Sequence, residues 1–321
     1  MLAALLRALF LWLAHRRWLA RLVLRIPIAR RLPLRFVAGT TLDLAVQAVR
    51  DLNEAGLSAT LDHLGESVSD QATAEQAAAA YVEMIDRIAS EGLDANVSVK
   101  LTQMGLDLGA DVCRSVLRPV LEAGKAHGMF VRIDMESSAY TTATLEIVRG
   151  MRAEGYDTGP VIQSYLHRSK ADVAALAAEG ARVRVCKGAY AEPAEIAWHD
   201  RATIGQSFVE LCATLMDAGT YPGVATHDPE MIEAVSRHAS QQGITPDRFE
   251  FQMLYGIRRD LQRALVADGY RMRVYVPFGT EWWPYFMRRM AERPANVMFV
   301  LRGVTGEGRS AGPPAPSAPE R

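Results

Sequence analysis

Between roughly residues 57 and 300, short β-rich runs alternate with long, Ala-rich helical stretches. The runs are SATLDHLG (58–65), ANVSVKL (95–101), FVRIDME (130–136), PVIQSYL (160–166), RVRVCKG (182–188), GVATHD (223–228), RFEFQML (248–254) and RMRVYVPFG (271–279). Helical patterning covers 71–92, 107–127, 141–155, 200–218 and 228–242. Strands separated by helices imply βαβ units and a parallel sheet. Eight such repeats favour a closed (βα)8 barrel over an open doubly wound sheet. No GxGxxG occurs, which counts against a Rossmann domain.

Within the strands the alternation is unusual. Val97/Val99 oppose Ser98/Lys100, Val131/Ile133 oppose Arg132/Asp134, and Val183/Val185 oppose Arg182/Arg184/Cys186. Phe251/Met253 oppose Glu250/Gln252, and Val274/Val276 oppose Arg273/Tyr275. Both faces of a parallel sheet are covered, so the apolar set meets the helices and the polar set lines the barrel. Buried charges on this scale must pair with one another or with a ligand. Arg132, Arg182, Glu250 and Arg273 stand early in their strands and read as a layer of paired ions at the barrel bottom. Lys100, Asp134, Gln163, Arg184, Gln252 and Tyr275 stand at the C-terminal ends, where barrel active sites form.

The formal net charge of -1 gives no general case for nucleic-acid binding, but residues 1–42 hold eight arginines and no acid. Arg16-Arg17 and Arg21 interrupt the opening apolar stretch, so it reads neither as a membrane span nor as a signal peptide. Two readings stay open for this basic amphipathic segment: a membrane-surface helix, or a helix packed on the main domain. It lacks helix-turn-helix spacing, so no nucleic-acid partner is expected. Three scattered cysteines, Cys113, Cys186 and Cys212, fit a reducing cytoplasm better than a disulfide framework. From residue 304 the Gly/Pro/Ser/Ala-rich composition reads as a disordered tail.

Residue types alone leave several chemistries open. Lys100 and Lys187 could serve a Schiff-base aldolase, but that chemistry needs a lysine away from counter-ions, and Asp134 is expected beside Lys100. Asp62, His63, Asp134 and His227 could suggest a metal hydrolase, yet the first β-rich run (58–65) offers Asp-His rather than His-x-His, so no metal is expected. Near the end, YFMRRMAERP (285–294) sets Arg288 and Arg289 one turn before Glu292. Taken alone it reads as a solvated face with an i,i+4 Arg–Glu pair.

Taken together, VSVKLTQMGLDL, VRIDMESS, IQSYLHR, VRVCKGAY, ATHDP, FEFQMLYGIR and RVYVPFGTEWWPYFMRRMAERPANV resemble, in order and spacing, the proline dehydrogenase family. The likeness covers about residues 36–303 and includes the catalytic domain of bifunctional proline-utilisation proteins. A second, aldehyde-oxidising domain is not expected in a chain of this length. The resemblance implies three segments: N-terminal helices (1–42), a distorted (βα)8 flavoenzyme barrel (43–303) and a tail (304–321). It implies FAD in the barrel mouth, L-proline as substrate, a membrane quinone as electron acceptor, and a cytoplasmic location, with peripheral association to the membrane's inner face. By the same resemblance Arg288 and Arg289 would clamp the proline carboxylate, with Glu292 orienting them. Lys100, Asp134, Tyr190, Leu254 and Tyr275 would line the proline pocket, and Arg184 would lie by the reacting flavin nitrogen. Met135, Gln163, Lys187, Gly188, Ala189, Thr226, His227 and Gln252 would contact FAD. Asp134 would either act as base or hold Lys100.

Overall fold

The structure, a computed structural model, describes residues 35–292 and, ahead of them, Trp12, Leu13 and Arg16. The side chains at positions 288, 291 and 292 lie outside this description, as do most of the predicted N-terminal segment and the whole predicted tail. Two compact units are present, Phe36–Thr280 and Met1–Arg35 with Glu281–Arg321.

In the first unit eight parallel strands close into a barrel in chain order. They are β1 (Ser58–His63), β2 (Ala95–Val99), β3 (Val131–Ile133), β4 (Thr158–Gln163), β5 (Arg184–Cys186), β6 (Gly223–Ala225), β7 (Glu250–Leu254) and β8 (Met272–Phe278). The seam closes by pairing β1 with β8 from Ser58–Arg273 to His63–Phe278. Around it run α1 (Leu42–Glu54), α2 (Gln71–Ser90), α3 (Ala110–Ala126), α4 (Thr141–Ala153), α5 (Ser169–Ala178), α6 (Arg201–Asp217), α7 (Pro229–Gln241) and α8 (Arg259–Ala267).

The core lies between strands and helices, as the alternation predicts. Val97, Val99, Ile133, Val183, Val185, Phe251, Val274 and Val276 are fully buried there. They meet apolar helix stripes such as Tyr81, Met84, Ile85 and Ile88 of α2 and Val116, Leu117, Val120 and Leu121 of α3. Side-chain caps start four of the described helices: Thr41 accepts from Leu44 N at 3.5 Å, Asp70 from Thr73 N at 2.8 Å, Asp200 from Thr203 N at 2.7 Å, and Asp228 from Glu230 N at 3.3 Å.

Polar side chains fill the lumen, and at its N-terminal end the predicted ionic layer is only partly present. Arg273 Nε does pair with Glu250 at 2.8 Å. Arg182, expected inward, instead precedes β5, which begins at Arg184; it is half exposed and faces Asp157 at 3.5 Å. Arg132 is buried but bonds backbone carbonyls rather than a carboxylate.

In the second unit, α9 (Trp282–Glu292) carries an aromatic cluster. Trp282 and Trp283 meet edge to face at 5.6 Å, and Trp283 donates from Nε1 to Leu13 O at 3.0 Å.

Candidate active site at the C-terminal end of the barrel

Five of the six residues predicted at the strand ends form one connected cluster. Asp134, just beyond β3, is its hub. Its Oδ1 accepts from Ser98 Oγ at 2.6 Å and Arg184 Nη1 at 2.9 Å, and its Oδ2 accepts from Tyr275 at 2.6 Å. Arg184 also donates from Nε to Gln252 and lies 5.2 Å from the Tyr275 ring centre. Gln252 in turn donates to Glu250 at 2.6 Å, which commits both ends of its amide inside the lumen.

Lys100 joins the cluster through a residue that the sequence did not single out as its partner. Its ammonium donates to Asp62 at 2.8 Å, while Asp134 Oδ2 stands 3.9 Å away. Asp134 is therefore held chiefly by Arg184, and the pairing expected between Asp134 and Lys100 is the longer contact. Burial alone would lower the lysine pKa, but Asp62 and Asp134 overcome it and raise it well above the ordinary value. A lysine held charged in this way is unsuited to Schiff-base chemistry. For Asp134, burial works toward a higher pKa, but Arg184, Lys100, Ser98 and Tyr275 together hold it below the usual range. Burial and Asp134 push the Tyr275 phenol well up, so it stays a donor.

The sixth residue, Gln163, lies to one side. Its Nε2 donates to Glu136 O at 2.7 Å, and its buried Oε1 has no partner among the described residues. Met135 is buried beside it, and the Glu136 side chain accepts from Thr102 N and Oγ1 at 3.1 and 2.6 Å. Burial pushes the Glu136 carboxyl above its ordinary value.

The loops after β5 and β6 bring another group together. Lys187 and Arg201 both reach Asp228 Oδ2, at 3.0 and 2.9 Å, and Thr226 Oγ1 accepts from Asp228 N at 3.1 Å. His227 Nε2 accepts from Leu254 N at 2.9 Å, so the neutral ring carries its proton on Nδ1. Gly188 has φ 103°, and a Cβ there would lie 2.2 Å from the Tyr165 ring; chain conformation and Tyr165 thus both call for glycine. Ala189 and Tyr190 are exposed, and the Leu254 side chain is half-buried. Arg289 belongs to α9, where its guanidinium lies 5.1 Å from the Tyr285 ring centre. The Arg288 and Glu292 side chains fall outside the described residues.

Glu136 and Asp228 were not predicted as site residues, and Asp62 and His63 entered only through the metal reading. Asp62 carried a signal, because it alternates with Ala59 and Leu61 in β1 just as Lys100 alternates with Val97 and Val99 in β2.

Residues 45–302 match the proline dehydrogenase family profile. This chain belongs to that family. Proline dehydrogenase 1 of Bacillus subtilis (strain 168) is 43% identical over 270 residues, spanning 84% of this chain and 89% of that protein. The proline dehydrogenase of Deinococcus radiodurans is 41% identical over 275 residues, again spanning 84% and 89%. Among solved structures, proline utilization A (PutA) from Bdellovibrio bacteriovorus inactivated by N-propargylglycine superposes with TM-score 0.79 at 26% identity. That match covers 88% of this chain but only 34% of the solved chain. The chain is a proline dehydrogenase, an oxidoreductase acting on proline in the first step of proline catabolism, in a family that is flavin-dependent in general.

Proposed function

We propose that the chain oxidises L-proline to Δ1-pyrroline-5-carboxylate with FAD held at the C-terminal mouth of the barrel, and that the electrons pass to a membrane quinone. The observation that carries this reading is the Asp134–Arg184–Tyr275–Lys100 cluster at the mouth of a barrel whose family is flavin-dependent.

The residues present fit FAD. Gln163 offers a buried, unpartnered Oε1 acceptor that suits a flavin ring N–H. The cations of Lys187 and Arg201, gathered at Asp228, suit a phosphate-bearing chain, and Met135, Gly188, Ala189, Thr226, His227 and Gln252 would complete its contacts. When bound, FAD supplies a hydride acceptor. Arg184 would supply positive charge beside it, and Asp134 holds the Arg184 guanidinium in place.

Substrate binding falls to the opposing charges. Planar guanidinium forks from Arg288 and Arg289 would take the proline carboxylate bidentately, with Glu292 orienting them. Lys100, Tyr190, Leu254 and Tyr275 would line the ring and present one face to the flavin. The amine must be neutral to give up hydride, and the Lys100 cation disfavours a second positive charge beside it. With Asp134 held below the usual carboxylate range and bonded by three donors, its part is to position Arg184 and Tyr275, and it is a weak base.

Among the described residues no helix is long and apolar enough to cross a membrane. We take delivery to a bilayer quinone to use surface contact, for which the arginine-rich N-terminus is suited. The test is the visible spectrum of the purified protein. A flavin spectrum that bleaches anaerobically on adding L-proline supports this reading, and a colourless protein that turns over proline contradicts it.

A further inference from the structure

A second charged cluster, unused in proline oxidation, stands at the opposite, N-terminal end of the barrel. A cavity of about 330 Å³ opens there, with Asp94, Arg132, Arg182, Tyr221, Glu250 and Arg273 in its wall.

Arg132 is the anomaly of this wall. It is only 5% exposed, yet among the described residues no carboxylate pairs with it. Its Nη1 donates to the carbonyls of Pro160 at 3.0 Å and Arg182 at 2.6 Å, and its buried Nε has no acceptor. Among the described residues Nε thus lacks a protein acceptor, in a residue that forms part of the cavity wall. The sequence makes room for this arrangement. A Cβ at Gly159 would lie 2.1 Å from Arg182 O and 3.3 Å from Arg132 Nη1, so glycine lets the guanidinium cross β4.

The other arginines of this wall already face carboxylates, Arg273 both Glu250 and Asp94 and Arg182 Asp157, which leaves Arg132 as the one that, among the described residues, does not. Arg273 is already matched by Glu250 at 2.8 Å and bonds Ala59 O at 2.7 Å. Arg182 faces Asp157 at 3.5 Å. Phe130 braces both arginines, with its ring centre 4.4 Å from Arg132 and 5.4 Å from Arg182. Tyr221 adds an independent sign of a built site. This bulky residue is held at φ 54°, and its ring lies 5.8 Å from Arg182 and from Arg271. Its hydroxyl accepts from Arg271 at 3.1 Å and donates to Glu250 at 3.3 Å. Strained backbone of this kind persists only where the surroundings over-determine it, and it gathers at ligand clamps. Burial, with Arg184 and Arg273 nearby, pushes the Arg132 pKa well down despite Glu250 and Asp134.

We infer that the N-terminal mouth of the barrel binds a small oxyanion, a phosphate or a compact carboxylate, anchored by Arg132 and closed over by Arg182. Asp94 and the C-terminal end of α2 line the same opening and repel negative charge, which selects a compact ligand confined to the arginine side.

The test uses flavin-loaded, full-length protein titrated with inorganic phosphate and, separately, acetate at constant ionic strength, followed by calorimetry and thermal melting. Saturable binding of at least one anion is expected, weakened roughly tenfold or more in Arg182→Ala and in Arg132→Lys. Arg182 is half exposed, so its removal leaves the fold intact even where the Arg132 variant fails to fold. Response to phosphate alone assigns a phosphate ligand, and response to acetate alone a carboxylate. No saturable binding of either anion, or equal affinity in wild type and Arg182→Ala, would overturn the inference.

Discussion

The Lys100 ammonium lies 2.8 Å from Asp62 Oδ1, across the β1–β2 pair, and both side chains are largely buried. Removing one member of a buried pair strands the other, at a cost of about 3–5 kcal/mol. Asp62→Ala is expected to lose about that much stability in chemical denaturation. Adding Lys100→Met should recover part of the loss, because no buried charge is then left over. Strictly additive losses in the double variant would show that the pair is not coupled.

Acid sensitivity should begin at His63. Burial, opposed by Asp62 and reinforced by Lys100, lowers its pKa below the ordinary 6.5. The folded chain then resists a proton that the unfolded chain accepts. Stability from the neutral ring is present above 6.5 and lost as pH falls through the lower folded value. Melting temperature should therefore drop from about pH 7 to pH 5 in wild type, and drop less in His63→Leu. Parallel curves would remove His63 from the account. The depressed carboxyls of Asp134 and Glu250 add their own loss only at lower pH, as they take up protons.

Arg288→Lys and Arg289→Lys test the proposed carboxylate clamp. Lysine keeps the charge but cannot form the two-pronged bond. Each variant should retain flavin and lose about ten- to a hundredfold in kcat/KM for proline, equivalent to a charge-assisted bond of roughly 1.5–3 kcal/mol. Wild-type kinetics in both would show that the carboxylate is held elsewhere.

Much of this architecture is legible in the sequence, for a definable reason. A strand covered by helices and lining a polar lumen must alternate, so eight short runs point to the barrel, and in five of them the alternation reveals the inward side. The projection fails at Arg182, because alternation does not say where a strand begins, and β5 starts two residues later. It also misses Asp62 as the partner of Lys100. Periodicity gives the side to which a residue points, but not which neighbour across the ladder comes closest. The Lys187–Asp228–Arg201 group is hidden for a further reason: it joins two different loops, whose approach depends on the closed barrel and not on local pattern.

The N-terminal segment carries the account of electron delivery. Eight arginines without an acid in residues 1–42, interleaved with Leu, Phe and Trp, suit an anionic surface at about 1 kcal/mol per arginine. Deleting residues 1–22 should leave proline-dependent dye reduction largely intact and reduce sedimentation with anionic vesicles. High salt should partly mimic the deletion, since it screens the arginines but not the apolar contacts. Unstable or flavin-poor truncated protein would favour a packing role instead.

The central claim is that hydride leaves C5 of proline for a flavin in the barrel mouth. Single-turnover, anaerobic mixing of the flavin-loaded protein with proline deuterated at C5 or at C2 tests it most directly. The account predicts that flavin bleaching slows by a primary isotope effect with C5-deuterated proline and is unchanged with C2-deuterated proline. Slowing by the C2 label alone, or no bleaching with either substrate, would contradict it.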